Sequence, residues 1–303
     1  MNISKQLKER FCTDCKIPIK IYQLPYFEQR MTLLDPFYGT REKWNLFLDV
    51  LNSGDFKNEQ DYFEYYNNLK DQVIDFIKNN EAYKTFNKMN MSCFMIKHKH
   101  LPTKEIYKAS FIDRRFISID IVKANFSALN QFDPNIFTVN GNVSKTWEEF
   151  LSNFTPYEYI LKSKYIRQVV LGNCNPGRHI TYEKYLMDQI LSKVLEIVPL
   201  NEVVFFSNDE IVIDITDKKE IPDLSAIKNV VDIPIRIEKF TLRFIPNCNV
   251  YYKEINANGK IEIDIKGANA ETIPYAIRHL NHESIQDEDL YFMHNGKLAK
   301  FCE

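Results

Sequence analysis

The sequence predicts an α+β fold: a mostly helical N-terminal region, a central antiparallel sheet with helices inserted in it, and a C-terminal β-rich subdomain. Three observations carry this. Apolar residues recur at helical spacing through roughly the first 110 residues. Short runs of β-branched and aromatic residues, bounded by turn signals, then take over. After residue 233 three such runs follow closely: IPIRIEKFTLRF, NVYYKEI and KIEIDIKG, the last two separated by a turn over Asn256 to Gly259.

In chain order, residues 17–22 alternate in the manner of a short strand ending near Pro25. Trp44, Phe47, Leu48 and Leu51 mark a helix over 41–52, and Phe63, Tyr66, Leu69, Val73, Phe76 and Ile77 a longer one over 58–80. Tyr83, Phe86 and Met89 mark a third helical or irregular stretch. A basic connector, KHKHLPTK, spans 97–104 and precedes a strand from Phe116 to Val122. Asp133-Pro134 and Asn140-Gly141 read as turns. Thr146 to Glu149 and Thr155 to Glu158 both have the capping-box pattern, and Pro156 suits a first helical position. The second of these helices is expected to run to about Leu171 and stop at GNCNPGR. A further helix over about 180–197 leads to a hairpin, Val203–Phe206 and Ile211–Ile215, around Ser207, Asn208, Asp209 and Glu210. A short helix near 271–280 and a polar segment close the chain. The expected divisions are 1–112, 113–232 and 233–303.

With 303 residues, 45% hydrophobic and 14% aromatic, the chain can bury a large core, which excludes global disorder. No apolar run approaches the roughly 18 residues of a membrane span, and the N-terminus lacks a signal-peptide core, so a cytoplasmic placement is expected. The formal net charge of −2 leaves nucleic-acid binding to a local basic patch. Scarce glycine with abundant Asn, Lys, Ile, Tyr and Phe looks like the coding bias of an AT-rich genome, bacterial, phage or large DNA virus. The six cysteines are dispersed. Cys12-x-x-Cys15 is half a zinc motif without a second half at ligand spacing, so ordinary thiols are expected.

The chemistry concentrates in two acidic strands, FISIDIVKANF with Asp120 and VVFFSNDEIVIDI with Asp209 and Glu210. A carboxylate at a buried strand end is costly unless a cation answers it. Two such segments on adjacent strands would offer carboxylates to one Mg²⁺ or Mn²⁺ site. The plainer reading keeps Asp120 as a strand cap or a partner of Lys123 or Arg115, and makes the Asn-Asp pair ordinary turn chemistry. Strand alternation, in this reading, turns Glu210 away from the partner of Asp209.

The segment 120–129, DIVKANFSAL, resembles motif A of palm-domain nucleic-acid polymerases, and SNDEIVID resembles motif C of family A DNA polymerases, with Asn208 where that family has His. The stretch 162–178, KSKYIRQVVLGNCNPGR, stands where the fingers helix stands, and its NCNPG is similar to a family B fingers motif. Residues 240–267 resemble the strand pair with which family B palms touch the primer end. The likeness covers roughly residues 115–267. It departs where Val169 replaces the fingers Lys, where Lys164 and Arg167 are three rather than four apart, and in having no exonuclease acid motif upstream. The resemblance implies a palm-like sheet and a nucleotidyltransferase in which Asp120 and Asp209, with Glu210, hold two Mg²⁺ (or Mn²⁺) ions. Phe126 would shape the sugar pocket, Lys164, Arg167 and Arg178 would neutralise the nucleoside triphosphate, and Arg114, Arg115, Lys239 and Arg243 would contact the nucleic-acid backbone. Two alternatives stand beside it. One is a nucleotide cyclase, since SNDEI is similar to the Gly-Gly-Asp-Glu-Phe hairpin. The other is a non-catalytic viral or phage accessory protein that binds nucleic acid or protein on a palm-like scaffold.

Overall fold

Helical hydrophobic spacing organises the first third of the chain. The computed structural model describes residues 3–257 and 259–301. Five helices come first: α1 (Lys5–Asp14), α2 (Tyr26–Tyr38), α3 (Thr40–Leu51), α4 (Glu59–Asn79) and α5 (Glu81–Lys88). In α4 the buried residues Tyr62, Tyr66, Leu69, Val73 and Ile77 form one stripe, and Asn58 caps the helix by accepting from the Asp61 N–H. The expected strand over 17–22 is not one. Ile17, Ile19 and Ile21 are buried on alternate positions of a segment that pairs with no strand among the described residues, and Pro18 withholds one of the donors a ladder needs.

The central region carries β1 (Arg115–Ile121), α6 (Ala124–Phe132), a small hairpin of β2 (Thr138–Val139) and β3 (Asn142–Val143), α7 (Trp147–Leu151), α8 (Glu158–Leu161), α9 (Lys164–Gly172), α10 (Pro176–Val194), β4 (Val203–Phe206) and β5 (Glu210–Asp214). The single helix expected from Pro156 to Leu171 is two helices. Ser163, buried between them, caps α9 by accepting from the Ile166 N–H at 3.2 Å. NCNPGR both ends α9 and starts α10, with Asn175 left-handed and Pro176 at the first position.

β6 (Ile235–Ile245), β7 (Val250–Ala257) and β8 (Lys260–Lys266) complete the sheet, and α11 (Ile273–Leu280) precedes a hairpin of β9 (Tyr291–His294) and β10 (Lys297–Lys300). That hairpin turns at Asn295-Gly296, both at positive φ. The six-stranded antiparallel sheet has the order β4-β5-β1-β6-β7-β8. The expected boundary at 232/233 therefore cuts a continuous sheet: β6 is hydrogen-bonded along the whole of β1, and β6–β8 extend the centre instead of forming their own subdomain. β1 and β4 are both antiparallel to β5 and thus run the same way, with α6–α10 as the crossover between them. β5 sits between the parallel strands β1 and β4, the split βαβ arrangement.

Period-two alternation gives the sheet two different faces. Ile117, Ile119, Ile121, Ile211 and Ile213 enter the main core with the helices. Phe116, Val212, Phe240, Leu242 and Ile255 point the other way and are covered by Ile106, Tyr107 and Phe111. The basic connector is anchored: the N–H groups of Lys97 and His98 donate to buried Asp188 on α10, both at 3.0 Å, and the Pro102 carbonyl accepts from Phe206 at the β4 edge. Among the described residues no helix is long and apolar enough to cross a membrane.

Candidate metal centre

The register of the three central strands assembles the site. Asp120 is paired with Glu210 on β5 and with Arg236 on β6. Residues directly opposite in antiparallel strands share a face. All three therefore lie on the face turned away from the helices, at one end of the sheet. The Ile121 N–H donates to the Asp209 carbonyl at 2.9 Å, which fastens the β4–β5 turn to the end of β1. Ser207 shapes that turn. Its hydroxyl accepts from the N–H groups of Asp209 (3.3 Å) and Glu210 (3.0 Å) and donates to the Asp209 carboxylate at 2.9 Å.

Each acid has a defined partner. Asp120 Oδ2 accepts from Arg236 at 2.8 Å, and Arg236 Nε also meets Glu238 at 3.3 Å. Glu210 Oε1 accepts from the Ser118 hydroxyl at 2.5 Å and lies 3.3 Å from Lys253 Nζ. Lys253 is buried, its ammonium 4.5 Å from the centre of the Phe240 ring. Burial raises the Asp120 carboxyl above the usual range. Arg236 opposes this, and the negative charges of Glu210 and Asp209 add to it. Behind the turn, Glu183 of α10 is buried and accepts from Asn208 Nδ2 at 2.9 Å. Burial pushes Glu183 up to about 7, the Asn208 hydrogen bond pulls it down, and the Asp209 charge raises it further.

The carboxylates of Asp120, Asp209 and Glu210 carry oxygen atoms, the ligand type that hard divalent cations take, but Asp120 already holds a cationic guanidinium. Among the described residues no three acidic, histidine or cysteine side chains already converge at ligand spacing. The Asp120 and Glu210 carboxylates are turned to Arg236 and to Ser118 and Lys253. The expectation that alternation removes Glu210 from the site is corrected by the register, in which Glu210 rather than Asp209 stands directly opposite Asp120.

Other expected residues lie elsewhere. Phe126 is buried in the helical core, its ring 4.5 Å from Phe137 and 6.2 Å from Trp147, so it has no face left for a sugar. Arg178 donates to the carbonyls of Phe86 (2.9 Å) and Met89 and so closes the end of α5 instead of facing a triphosphate. Lys164 is exposed in the first turn of α9 and lines a cavity of about 410 Å³ with Lys16, Lys43 and Lys162, which contains none of the strand-end acids. Arg167 is half-buried. Burial lowers its pKa and Glu148 opposes this; Glu148 is in turn ion-paired with Lys123, three residues after Asp120. Of the basic residues expected on nucleic acid, Arg114 pairs with Asp214 at 2.8 Å and Arg115 donates to the carbonyls of Ile215, Thr216 and Lys218. Arg243 bridges Asp113 (2.7 Å) and Glu254 (2.9 Å). Lys239 makes no ion pair among the described residues and lines a second cavity of about 410 Å³ with Arg115, Glu254 and Asn256. Burial pushes the Cys12 and Cys15 thiols up, Cys15 to about 12, against the thiolate form that a zinc ligand needs.

Sequence reading missed Glu183, Arg236 and Lys253. Glu183 did leave a signal, because it falls on the buried stripe of α10 with His179, Tyr182, Leu186, Met187 and Ile190. Compared with family models, curated proteins and solved structures, the chain matches none.

Proposed function

We propose that the chain is a nucleotidyltransferase whose Mg²⁺ or Mn²⁺ site is built from Asp120, Asp209 and Glu210, with a nucleoside triphosphate and a nucleic-acid 3′-hydroxyl as substrates. The observation that carries this reading is the in-register Asp120–Glu210 pair on the helix-free face, closed by the hydrogen bond from Ile121 to Asp209. Three carboxylates whose charges oppose one another at the end of a split βαβ sheet favour occupation by a divalent cation.

A divalent cation held by these carboxylates would supply charge for the phosphate oxygens and lower the pKa of a coordinated hydroxyl. The protein's own groups fix the carboxylates that hold it. Ser118 and Lys253 orient Glu210 from the sheet, Ser207 ties the turn from within, and Glu183 holds it through Asn208 from the helix side. Lys123, three residues after Asp120, is ion-paired with Glu148, whose charge favours the charged form of Arg167, the residue expected to bind phosphate. Phe126 and Arg178 have no part in this reading.

A second reading, a non-catalytic nucleic-acid- or protein-binding module on the same scaffold, is favoured by one observation: Arg236 and Lys253 give two of the acids internal counter-ions. Primer extension with labelled dNTP or NTP in Mg²⁺ or Mn²⁺ separates the two. Extension by the wild-type chain, abolished in Asp120→Asn and Asp209→Asn while their melting remains cooperative, supports the enzyme. Failure of the wild type to extend, with melting unaltered by metal and nucleotide, supports the binding module.

A further inference from the structure

Residues 97–111 form a strap that starts beside α10, crosses the β4 edge of the sheet and ends on the helix-free face. Three contacts fix this path. At its start the Lys97 and His98 N–H groups donate to buried Asp188, and His98 Nδ1 lies 2.9 Å from the same carboxylate. In its middle the Pro102 carbonyl accepts from the Phe206 N–H at 2.8 Å, one residue before the β4–β5 turn. At its end Ile106, Tyr107 and Phe111 pack on Phe116 and Phe240. Burial raises the Tyr107 phenol, and the nearby charge of Glu210 raises it further. The strap therefore leads from α10 to the strand-end acids.

Its charge is opposite to theirs. Lys97, Lys99, His100 and Lys104 are exposed along it. Lys184, one helical turn before Asp188 on α10, holds its ammonium 5.5 Å from the centre of the Phe206 ring, beside the strap's middle contact. None of these four lysines is in an ion pair among the described residues. The arginines first expected on nucleic acid, Arg114, Arg115 and Arg243, are by contrast bound within the protein. Resting on the nucleic-acid part of the proposed function, we infer that residues 97–104 and Lys184 form the surface that holds a nucleic-acid strand by its phosphates, with the strand's end directed at Asp120 and Glu210. Ammonium groups free of carboxylate partners suit a phosphodiester backbone and read no sequence. With a formal net charge of −2 the whole chain does not attract a polyanion, so a local basic strap decides where one binds. The contacts to Asp188 and Phe206 order the strap in advance, which lowers the entropic cost of binding. The carboxylates repel phosphates, so an uncharged terminal hydroxyl is the part of the strand that suits the acid end.

The test measures binding of labelled, mixed-sequence single-stranded DNA and RNA of about 15 nucleotides to the full chain by fluorescence anisotropy. It is run in EDTA over a series of salt concentrations, so that no metal takes part. The wild type should bind, and more weakly as salt rises. The triple variant Lys97→Gln, Lys99→Gln, Lys104→Gln should bind at least about tenfold more weakly at low salt, with a slope of log affinity against log salt smaller by about 2. Lys184→Gln should lower that slope by about 0.7. A control triple of exposed lysines elsewhere, Lys5→Gln, Lys57→Gln, Lys260→Gln, should bind as the wild type does. A photocrosslinker on the 3′ end should mark the β4–β5 turn. Binding by the wild type that the strap variants leave unchanged, or that the control triple weakens equally, overturns the strap and leaves the nucleic-acid reading standing. Competition by polyglutamate as strong as that by unlabelled oligonucleotide at equal charge also overturns it, since the surface would then suit an acidic protein. Absence of any binding by the wild type removes the nucleic-acid reading and the strap together.

Discussion

A carboxylate on a central strand raises the free energy of the fold until a positive charge answers it, and this protein places four around one turn: Asp120, Glu210, Asp209 and Glu183. Glu183 gives the clearest test at this scale. Its folded pKa, about 7, lies above the ordinary glutamate value. The contribution of its protonated form is thus fully present below about pH 4.5 and lost as pH rises through 7. Glu183→Gln keeps an acceptor for Asn208 and removes the buried charge. It should stabilise the protein by roughly 1–3 kcal/mol at pH 8 and by almost nothing at pH 4.5, measured by urea unfolding at the two pH values. Asp120, also raised, works in the same direction. The acids themselves were legible in sequence, because charged residues interrupt β-type runs. Arg236 was not, because its meeting with Asp120 depends on which strands pair and in which register, and local pattern carries neither.

At the scale of elements, the strands of the site were the easiest to read. Ile117, Ile119 and Ile121 alternate with Phe116, Ser118 and Asp120, and only a two-sided strand uses such a pattern. The same alternation misled over 17–22, where burial of every second residue needs an extended chain but not a hydrogen-bonded partner. Phe126 was misplaced for a related reason. It follows the strand closely in sequence, but it belongs to α6, whose spacing turns it into the core beside Ala128 and Leu129. The break between α8 and α9 was hidden because Lys162 and Ser163 are compatible with a helix until Ser163 is seen to cap the second one. Ser163→Ala should lower stability by about 1 kcal/mol in chemical denaturation, with the β1–β5 end of the sheet unaffected.

For the whole molecule, the sheet and one buried ion network tie the sequence divisions together. Arg30 on α2 reaches Asp289 at 2.9 Å and donates at 3.1 Å to each of the carbonyls of Glu288, Asp289 and Tyr291, while Arg278 of α11 binds the other Asp289 oxygen at 2.9 Å. Removing one member of a buried pair leaves an uncompensated charge. Asp289→Ala should therefore cost about 3–5 kcal/mol in urea unfolding, and Asp289→Asn less. The boundaries at 112 and 232 were drawn from shifts in pattern, which mark changes of secondary structure. The pairing of β1 with β6 and the clamp of Arg30 on Asp289 are long-range facts that no local window contains. The same long-range pairing brings Asp120 to Glu210, so the most direct measurement is Mn²⁺ binding followed by electron paramagnetic resonance. The wild-type chain should bind Mn²⁺, and Asp120→Asn and Glu210→Gln should each weaken binding at least about tenfold while retaining cooperative melting. Equal Mn²⁺ binding by the wild type and both variants would contradict the assignment of these acids to a metal site.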